Sequence, residues 1–145
     1  TAPYPGFSTD WQAQWAVLMT QSNGESTIHE TVFENKFGYV HELRKLGADI
    51  EFYQPDVDNP QSVYQFNLNN DDEAANLQQA IRIQGNTKLH NGVLSALDIR
   101  AGATVRIAAC VADVESIVHN ASMVDRGHEA IEEKLSSLGA DIRRV

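Results

Sequence analysis

The chain has 145 residues, of which 42% are hydrophobic, and a formal net charge of −9 at pH 7. This length and apolar content fit a single domain, residues 1–145, whose core needs no disulfide or metal. The acidic balance argues against nucleic acid as a partner, because binding to phosphates depends on clustered Lys and Arg. No stretch approaches the roughly 20 consecutive apolar residues of a membrane-spanning helix, so no membrane association is predicted.

The opening segment, residues 1–10, has neither the basic region nor the apolar region of a signal peptide. The single cysteine, Cys110, excludes an intrachain disulfide and is consistent with a reducing, cytoplasmic location. The first residue is not Met, and residues 1–6 have the composition of a linker. We therefore expect the polypeptide to continue upstream, with these residues as a C-terminal fragment.

An internal repeat organises the chain, because Leu-Gly-Ala-Asp-Ile at residues 46–50 recurs at residues 138–142. The two copies cover about residues 9–52 and 97–145, and each predicts helix, strand, helix and strand in that order. In the first copy the predicted elements before the motif are helices over 12–20 and 38–46 and a strand over 26–33. In the second copy they are helices over 101–112 and 129–138 and a strand over 116–124.

The two helices of each copy differ in their apolar pattern. Residues 103–112 are apolar around nearly the whole circumference and residues 15–19 are similar, so these inner helices should be buried on most sides. Each second helix has one apolar face, whereas Glu132, Glu133 and Lys134 should face solvent. The apolar faces consist of Leu43 and Leu46 in the first copy and of Ile131, Leu135 and Leu138 in the second. Gly47 and Gly139 should end these helices in the left-handed conformation.

Residues 51–80 join the two copies and are rich in Asn, Gln and Asp, with two prolines. This composition predicts an irregular, exposed excursion, and a solvated insertion is favoured over a lid or a partner-binding loop. After it, Gly85-Asn86 separates residues 81–83 from residues 87–90. This spacing predicts a hairpin, because Gly and Asn tolerate the positive φ of a tight turn.

Three positions carry residue types that suit chemistry. Asp10 and Asp98 each stand just before an inner helix, and helix capping is the favoured interpretation of both on residue type alone. Arg126 follows the second-copy strand, where a guanidinium can bind a phosphate or a carboxylate through two hydrogen bonds. The alternative for Arg126 is a surface salt bridge that contributes little stability.

No metal or other cofactor is predicted. The five histidines show no spacing typical of metal ligands. Cys110 lies among Ala, Val and Ile in an inner helix, so burial as a small apolar side chain is favoured over a nucleophilic role. Residue types alone therefore leave the function open.

Four short segments carry a resemblance to a known family. They are residues 3–10 (PYPGFSTD), 30–37 (ETVFENKF), 97–101 (LDIRA) and 125–129 (DRGHE). In this order they are similar to the PYPGFPTD, ETIFENRF, TDLRA and DRGYE segments of the UDP-N-acetylglucosamine enolpyruvyl transferases. Ser8, Lys36 and His128 stand where that family usually has proline, arginine and tyrosine. The excursion at 51–80 is the part that a typical member lacks or has much shorter.

The resemblance implies an α/β fold, part of an inside-out α/β barrel built from repeated βαβαββ units with buried inner helices. It also implies transfer of the enolpyruvyl group of phosphoenolpyruvate to the 3-hydroxyl of UDP-N-acetylglucosamine, with release of phosphate. This reaction is the first committed step of peptidoglycan precursor synthesis.

The resemblance assigns roles by motif position. Asp10 would bind the sugar hydroxyl and accept its proton, and Arg100 and Arg126 would stabilise the anionic phosphoenolpyruvate. The backbone of Val32 would contact the uridine nucleotide, and Asp98 would position Arg100. In the family the catalytic cysteine and further cations lie in the missing N-terminal part, and Cys110 does not match the motif of that cysteine.

Two alternatives to this function stay open. One is a non-catalytic module that binds a nucleotide sugar or a protein partner. The other is 3-phosphoshikimate 1-carboxyvinyltransferase, which shares the fold.

Overall fold

The computed structural model describes residues 1–68 and 77–145. In this part of the chain the helices are α1 (Gln12–Gln21), α2 (Tyr39–Lys45), α3 (Pro60–Val63), α4 (Ile99–Val111), α5 (Ser122–Asp125) and α6 (Ile131–Ser137), and a 3₁₀ turn at Thr9–Trp11 precedes α1. The strands are β1 (Glu25–His29), β2 (Ile50–Tyr53), β3 (Ala80–Gln84), β4 (Val93–Ser95) and β5 (Ile117–His119).

The first copy of the repeat is closed by a three-stranded antiparallel sheet in the order β1-β3-β2. Ile28 and Ile50 from the outer strands and Ile81 and Ile83 from β3 are buried in the core. Arg82, between these two isoleucines, points away from the core and lies 5.1 Å from the ring of Tyr53. This alternation is what a strand with one buried face requires.

The hydrophobic core lies between this sheet and the helices α1, α2 and α4. The outer helix α2 buries the predicted face, since Leu43 and Leu46 are fully enclosed. Gly47 ends this helix with φ of +88°, and Gly139 has φ of +99° after α6, so both predicted left-handed glycines are confirmed.

The two inner helices differ in burial. Residues 101–106 of α4 are all buried, which confirms the prediction for the first part of this helix, whereas Cys110 and Val111 at its end are exposed. At Gly102, an added Cβ would lie 2.2 Å from a methyl carbon of Val124 in α5, so only glycine permits this approach. For α1 the prediction is wrong, because Trp15 is 45% and Leu18 is 54% exposed. No described element packs over that face of α1.

The second copy does not repeat the first element for element. Its strand β5 ends at His119 and pairs in parallel with β4, so the predicted strand over 116–124 is wrong beyond this point. Asn120 adopts φ of +59° and turns the chain into α5. Residues 140–145 form no strand, and Leu138 is 85% exposed. Glu132, predicted to face solvent, is instead partly covered and bonded to Arg144 at 2.7 Å.

The excursion is irregular but not wholly exposed. Its start continues β2, and Tyr64, Gln79 and Ala80 are buried. Its other described residues include the short helix α3, and residues 69–76 of this prediction lie outside the described residues. The predicted hairpin is wrong: Asn86 has φ of +55°, but residues 87–90 form no strand, and β3 pairs with β1 and β2.

Candidate active site

A small cavity of about 70 Å³ lies where the start of α1, the loop before α2 and the start of α4 meet. We call it the Asp10 pocket. It is lined by Thr9, Asp10, Gln12, Ala13, Asn35, Lys36, Gly38, Tyr39, Asp98, Arg100 and Ala101. The fold therefore brings together residues of three of the four segments that carry the resemblance.

Asp10 lies in the 3₁₀ turn before α1, with its side chain 61% exposed. The capping interpretation is wrong for this residue. Ser8 caps the turn by accepting a hydrogen bond from the Asp10 backbone N–H at 3.3 Å, and α1 itself has no side-chain cap. The Asp10 carboxylate instead points across the pocket and lies 3.1 Å from Nε of Arg100.

Asp98 is the cap of α4, as residue type alone suggested. Its carboxylate accepts a hydrogen bond of 2.8 Å from the backbone N–H of Ala101, which satisfies a donor that a helix start otherwise leaves unpaired. Arg100 follows in the first turn of the same helix, and its side chain is 57% exposed toward the pocket. The cap therefore fixes the start of the helix that presents Arg100.

Lys36 is a pocket residue that the sequence analysis noted only as a departure from arginine. Its Nζ is buried and has no hydrogen-bond partner among the described residues, and it lies 4.6 Å from the ring centre of Phe33. Burial lowers the pKa of Lys36, and the positive charge of Arg100 lowers it further, against the opposing effect of Asp10. Two cations thus face one small pocket together with the carboxylate of Asp10 and the capping carboxylate of Asp98.

Glu30 is the second residue that sequence reasoning missed, although it lies in a quoted segment. It is fully buried, and one carboxylate oxygen accepts from Thr9 Oγ1 at 2.7 Å and from Gln12 Nε2 at 2.6 Å. The other oxygen accepts from the backbone N–H groups of Val32 at 2.8 Å and Phe33 at 3.1 Å. Burial acts to raise the pKa of Glu30, but the hydrogen bonds outweigh it and lower the pKa.

This carboxylate links the segments on either side of Asp10 to the loop after β1. Gln12 is held on its other side by the hydroxyl of Tyr39, which donates a hydrogen bond of 2.8 Å to Gln12 Oε1. Burial, and then the negative charge of Glu30, raises the pKa of Tyr39 well above its ordinary value, so the hydroxyl keeps its proton. A buried network of four polar groups therefore supports the pocket.

Val32 lies beyond the end of β1, contrary to the strand predicted over 26–33. Its backbone N–H donates to the buried carboxylate of Glu30 in a turn, and this hydrogen bond competes with strand pairing. Val32 is partly covered and does not line the Asp10 pocket.

Arg126 is exposed at the end of α5 and lies outside the lining of the Asp10 pocket. Its neighbour Gly127 lies against Ile99, where an added Cβ would come within 2.6 Å of a methyl carbon. The turn that carries Arg126 is thus packed on the start of α4, one residue from Arg100. The salt bridges of this turn belong to Asp125, which makes two bonds of 2.8 and 2.9 Å to Arg144.

A second, open cavity of about 490 Å³ lies beside the C-terminal residues, and we call it the tail cavity. It is bordered by the end of α4, by β5 and by residues 141–145. Cys110 lines it and is exposed, so the prediction that this residue is buried is wrong: it lies in the last turn of α4, at the edge of the core. Partial burial still raises the pKa of the thiol, which disfavours the nucleophilic thiolate.

Within residues 1–68 and 77–145, no group of three or more His, Cys, Asp or Glu side chains is arranged to hold a metal ion. In the same part of the chain, no helix combines the length and the apolar character needed to cross a membrane.

Comparison with known proteins identifies the family to which this fold belongs. Residues 1–135 match the family described as EPSP synthase (3-phosphoshikimate 1-carboxyvinyltransferase), and the chain belongs to this family. The solved structure of the enolpyruvyl transferase NikO from Streptomyces tendae superposes with a TM-score of 0.71 at 28% identity, covering 95% of this chain and 27% of that one. The prediction of part of an inside-out α/β barrel is confirmed.

The most similar curated relatives among those compared share one enzyme name within this family. The chain is 41% identical over 145 residues to the UDP-N-acetylglucosamine 1-carboxyvinyltransferase of Desulforapulum autotrophicum. It is 43% identical over the same length to the enzyme of that name from Halorhodospira halophila. All of this chain is covered in both matches, but only 29% of each relative. The chain thus spans less than a third of the length of these relatives.

Proposed function

We propose that this chain is part of a cytoplasmic UDP-N-acetylglucosamine 1-carboxyvinyltransferase, which transfers the enolpyruvyl group of phosphoenolpyruvate to the 3-hydroxyl of UDP-N-acetylglucosamine. The observation that carries the proposal is the Asp10 pocket, in which the carboxylate of Asp10, salt-bridged to Arg100, faces two cations in a chain that is about 40% identical to enzymes of that name. No resident metal or other cofactor takes part.

The reaction needs a base near the sugar and positive charge near the phosphate. The oxygen of the 3-hydroxyl adds to C2 of phosphoenolpyruvate while C3 takes up a proton, and loss of phosphate with loss of a proton from C3 then restores the double bond. A secondary alcohol is a weak nucleophile, so Asp10 orients it and accepts its proton. Asp10 is exposed, and within residues 1–68 and 77–145 its carboxylate has a single salt bridge, to Arg100, so the substrate hydroxyl can reach it.

Cations supply the second requirement. Phosphoenolpyruvate is strongly anionic and gains charge on the leaving phosphate, and fixed cations in a closed site stabilise that charge. Arg100 and Arg126 have this role, and Asp98 acts through Arg100 by capping α4. Lys36 adds a third cation, and its lack of a partner is consistent with a ligand anion binding there. Val32 contributes backbone contacts to the uridine nucleotide.

The site is incomplete in these 145 residues. We propose that the upstream part of the polypeptide supplies the proton donor for C3 and further cations, because the Asp10 pocket as described contains no thiol. An open half-site leaves Arg100 screened by water, which weakens its electrostatic effect. The 145 residues alone should therefore release no phosphate from phosphoenolpyruvate.

The test is to incubate the complete polypeptide with phosphoenolpyruvate and UDP-N-acetylglucosamine, and to measure phosphate release and the mass of the product. Parallel reactions contain shikimate 3-phosphate in place of the sugar nucleotide. Product formed only from the sugar nucleotide supports the proposal. Product from shikimate 3-phosphate instead would identify the other member of the family, and binding of the sugar nucleotide without turnover would favour a non-catalytic module.

A further inference from the structure

The turn at residues 30–33 has its backbone hydrogen bonds satisfied from two directions. The carboxylate of Glu30 accepts from the N–H groups of Val32 and Phe33. From the other side, the side-chain amide of Gln79 donates from Nε2 to the carbonyl oxygen of Glu30 at 3.1 Å and to that of Phe33 at 3.0 Å. Gln79 thus bridges the first and the last residue of the turn.

The segment between β2 and β3 supports the turn at further points. The carbonyl of Gln79 accepts from the backbone N–H of Glu30 at 2.7 Å, and the backbone N–H of Gln65 donates to the carbonyl of Thr31 at 2.8 Å. The buried hydroxyl of Tyr64 lies 3.1 Å from Nε2 of His29, at the end of β1. These contacts tie the described ends of this segment to the loop that leads to Lys36.

Gln79 is fully buried, so its position is fixed by polar contacts rather than by solvent. A buried amide is costly unless it is hydrogen-bonded, and both donors of Gln79 are used on this one turn. If those donors were lost, the carbonyl oxygen of Glu30 would lose its donor in a buried environment and that of Phe33 in a partly buried one. The turn would then change its conformation to reach water.

A change in the turn would be transmitted to the Asp10 pocket through Glu30. The same carboxylate that holds the turn from inside also accepts from Thr9, the first residue of the 3₁₀ turn that carries Asp10, and from Gln12, the residue after that turn. The turn also carries Val32, which the proposed function places against the nucleotide. Moving the backbone of residues 30–33 would therefore displace both the nucleotide contact and the support of Asp10.

We propose that Gln79 is a positioning residue of the active site, which fixes the turn at residues 30–33 and, through it, the binding of the sugar nucleotide. The described ends of the segment between β2 and β3, residues 54–68 and 77–79, are on this basis part of the site's support. The inference rests on the proposed function, because it is tested by KM values of the proposed reaction.

The experiment compares four forms of the complete polypeptide: wild type, Gln79→Ala, Gln79→Met and Gln78→Ala. Gln79→Met keeps about the same volume without the donors, and Gln78 is the exposed neighbour of the same type. Steady-state kinetics give KM for UDP-N-acetylglucosamine and for phosphoenolpyruvate, and thermal unfolding gives Tm. We expect both Gln79 variants to raise KM for the sugar nucleotide about 5-fold or more, with KM for phosphoenolpyruvate within about 2-fold, because small displacements of positioning groups have effects of this order.

Each outcome decides between the roles. A Gln79→Met variant with wild-type KM would show that only volume matters at this position and would overturn the inference, as would equal KM values in Gln79→Ala and Gln78→Ala. A lower Tm with unchanged KM would identify a purely structural residue. Absence of turnover in the wild type would instead contradict the proposed function.

Discussion

The Asp10 pocket and the tail cavity contain similar residue types, but only one of them has a cation left unpaired. In the tail cavity, Arg144 bonds to both Asp125 and Glu132, and Arg106 donates to the carbonyl of Ala121. One nitrogen of Arg106 and one oxygen of Glu132 lack partners, but each belongs to a group that is paired through another atom. Lys36 has only its ammonium group, and that group has no partner among the described residues.

The comparison separates cavity size from chemical suitability. The tail cavity has about 490 Å³ and the Asp10 pocket about 70 Å³. Charge that is already neutralised by the protein gains little from a ligand, whereas an unpaired buried cation gains a partner. The smaller pocket is therefore the better candidate, and substitutions in the two places should have different effects on turnover.

The largest effect is expected for Asp10→Asn in the complete polypeptide. Removal of a general base lowers kcat by roughly 100-fold or more, because the amide cannot accept the proton of the sugar hydroxyl. Asp141→Asn, at an exposed position that lines the tail cavity, is the matched control and should leave kcat within about 3-fold. If Asp10→Asn also stays within that range, the carboxylate does not act as the base.

A smaller effect is expected for Lys36→Ala. Loss of the unpaired cation should raise KM for phosphoenolpyruvate about 10-fold, in the range of a hydrogen bond to a charged group. Lys36→Arg should restore binding, because the charge is retained and a guanidinium can also contact an anion. Lys134→Ala, at an exposed position in α6, serves as the control. Equal KM values for Lys36→Ala and Lys134→Ala would exclude Lys36 from the site.

The pH dependence of stability should distinguish Glu30 from the surface carboxylates. The folded pKa of Glu30 lies below its ordinary value of 4.5, so its contribution is fully present above that pH and is lost as the pH falls through the folded pKa. Urea unfolding from pH 7 to pH 3 should therefore show a steeper loss of stability in the wild type than in Glu30→Gln. Parallel pH profiles for the two proteins would contradict a native-state role for the ionised carboxylate.

The smallest effect is expected for Cys110→Ala. The thiol lines the tail cavity, is exposed and has a raised pKa, so its removal should leave kcat and KM within about 2-fold and stability within about 1 kcal/mol. Reaction of the complete polypeptide with a cysteine-directed epoxide checks the same point. Loss of activity that depends on Cys110 would overturn the assignment of the tail cavity as non-catalytic.

Local patterns predicted the outer helix α2 of the first copy well, because its apolar face and its terminating glycine agree with the packing. Leu43, Leu46 and Gly47 lie where their types indicate. The strand predicted over 26–33 ends early because the backbone N–H groups of Val32 and Phe33 donate to the buried carboxylate of Glu30 instead of pairing with a strand. The hydrophobic periodicity of the sequence does not reveal this competition. The predicted burial of Cys110 and Trp15 was wrong for another reason. Apolar composition indicates that a helix surface tends to be covered, but it does not show which element covers it.

The site was only partly predictable. Asp10 and Arg100 follow from motif position, and their ion pair at 3.1 Å shows that segments 90 residues apart meet. Lys36 could have been found as the one cation within the quoted segment 30–37, which the fold places on the same pocket as Asp10. Gln79 had no signal in the sequence, since its neighbours in space are set by the register of β3 against β1.

The glycine at position 102 has a consequence for how this domain can vary. In most helix interiors, exchange of Gly for Ala stabilises by about 1 kcal/mol, because the backbone loses less freedom on folding. Here the sign should be reversed, since the new methyl group would meet Val124 at 2.2 Å. Gly102 therefore acts as a spacer that sets how far the turn of Arg126 stands from the helix of Arg100. A single methyl group at this position could alter the distance between the two arginines without changing either of them.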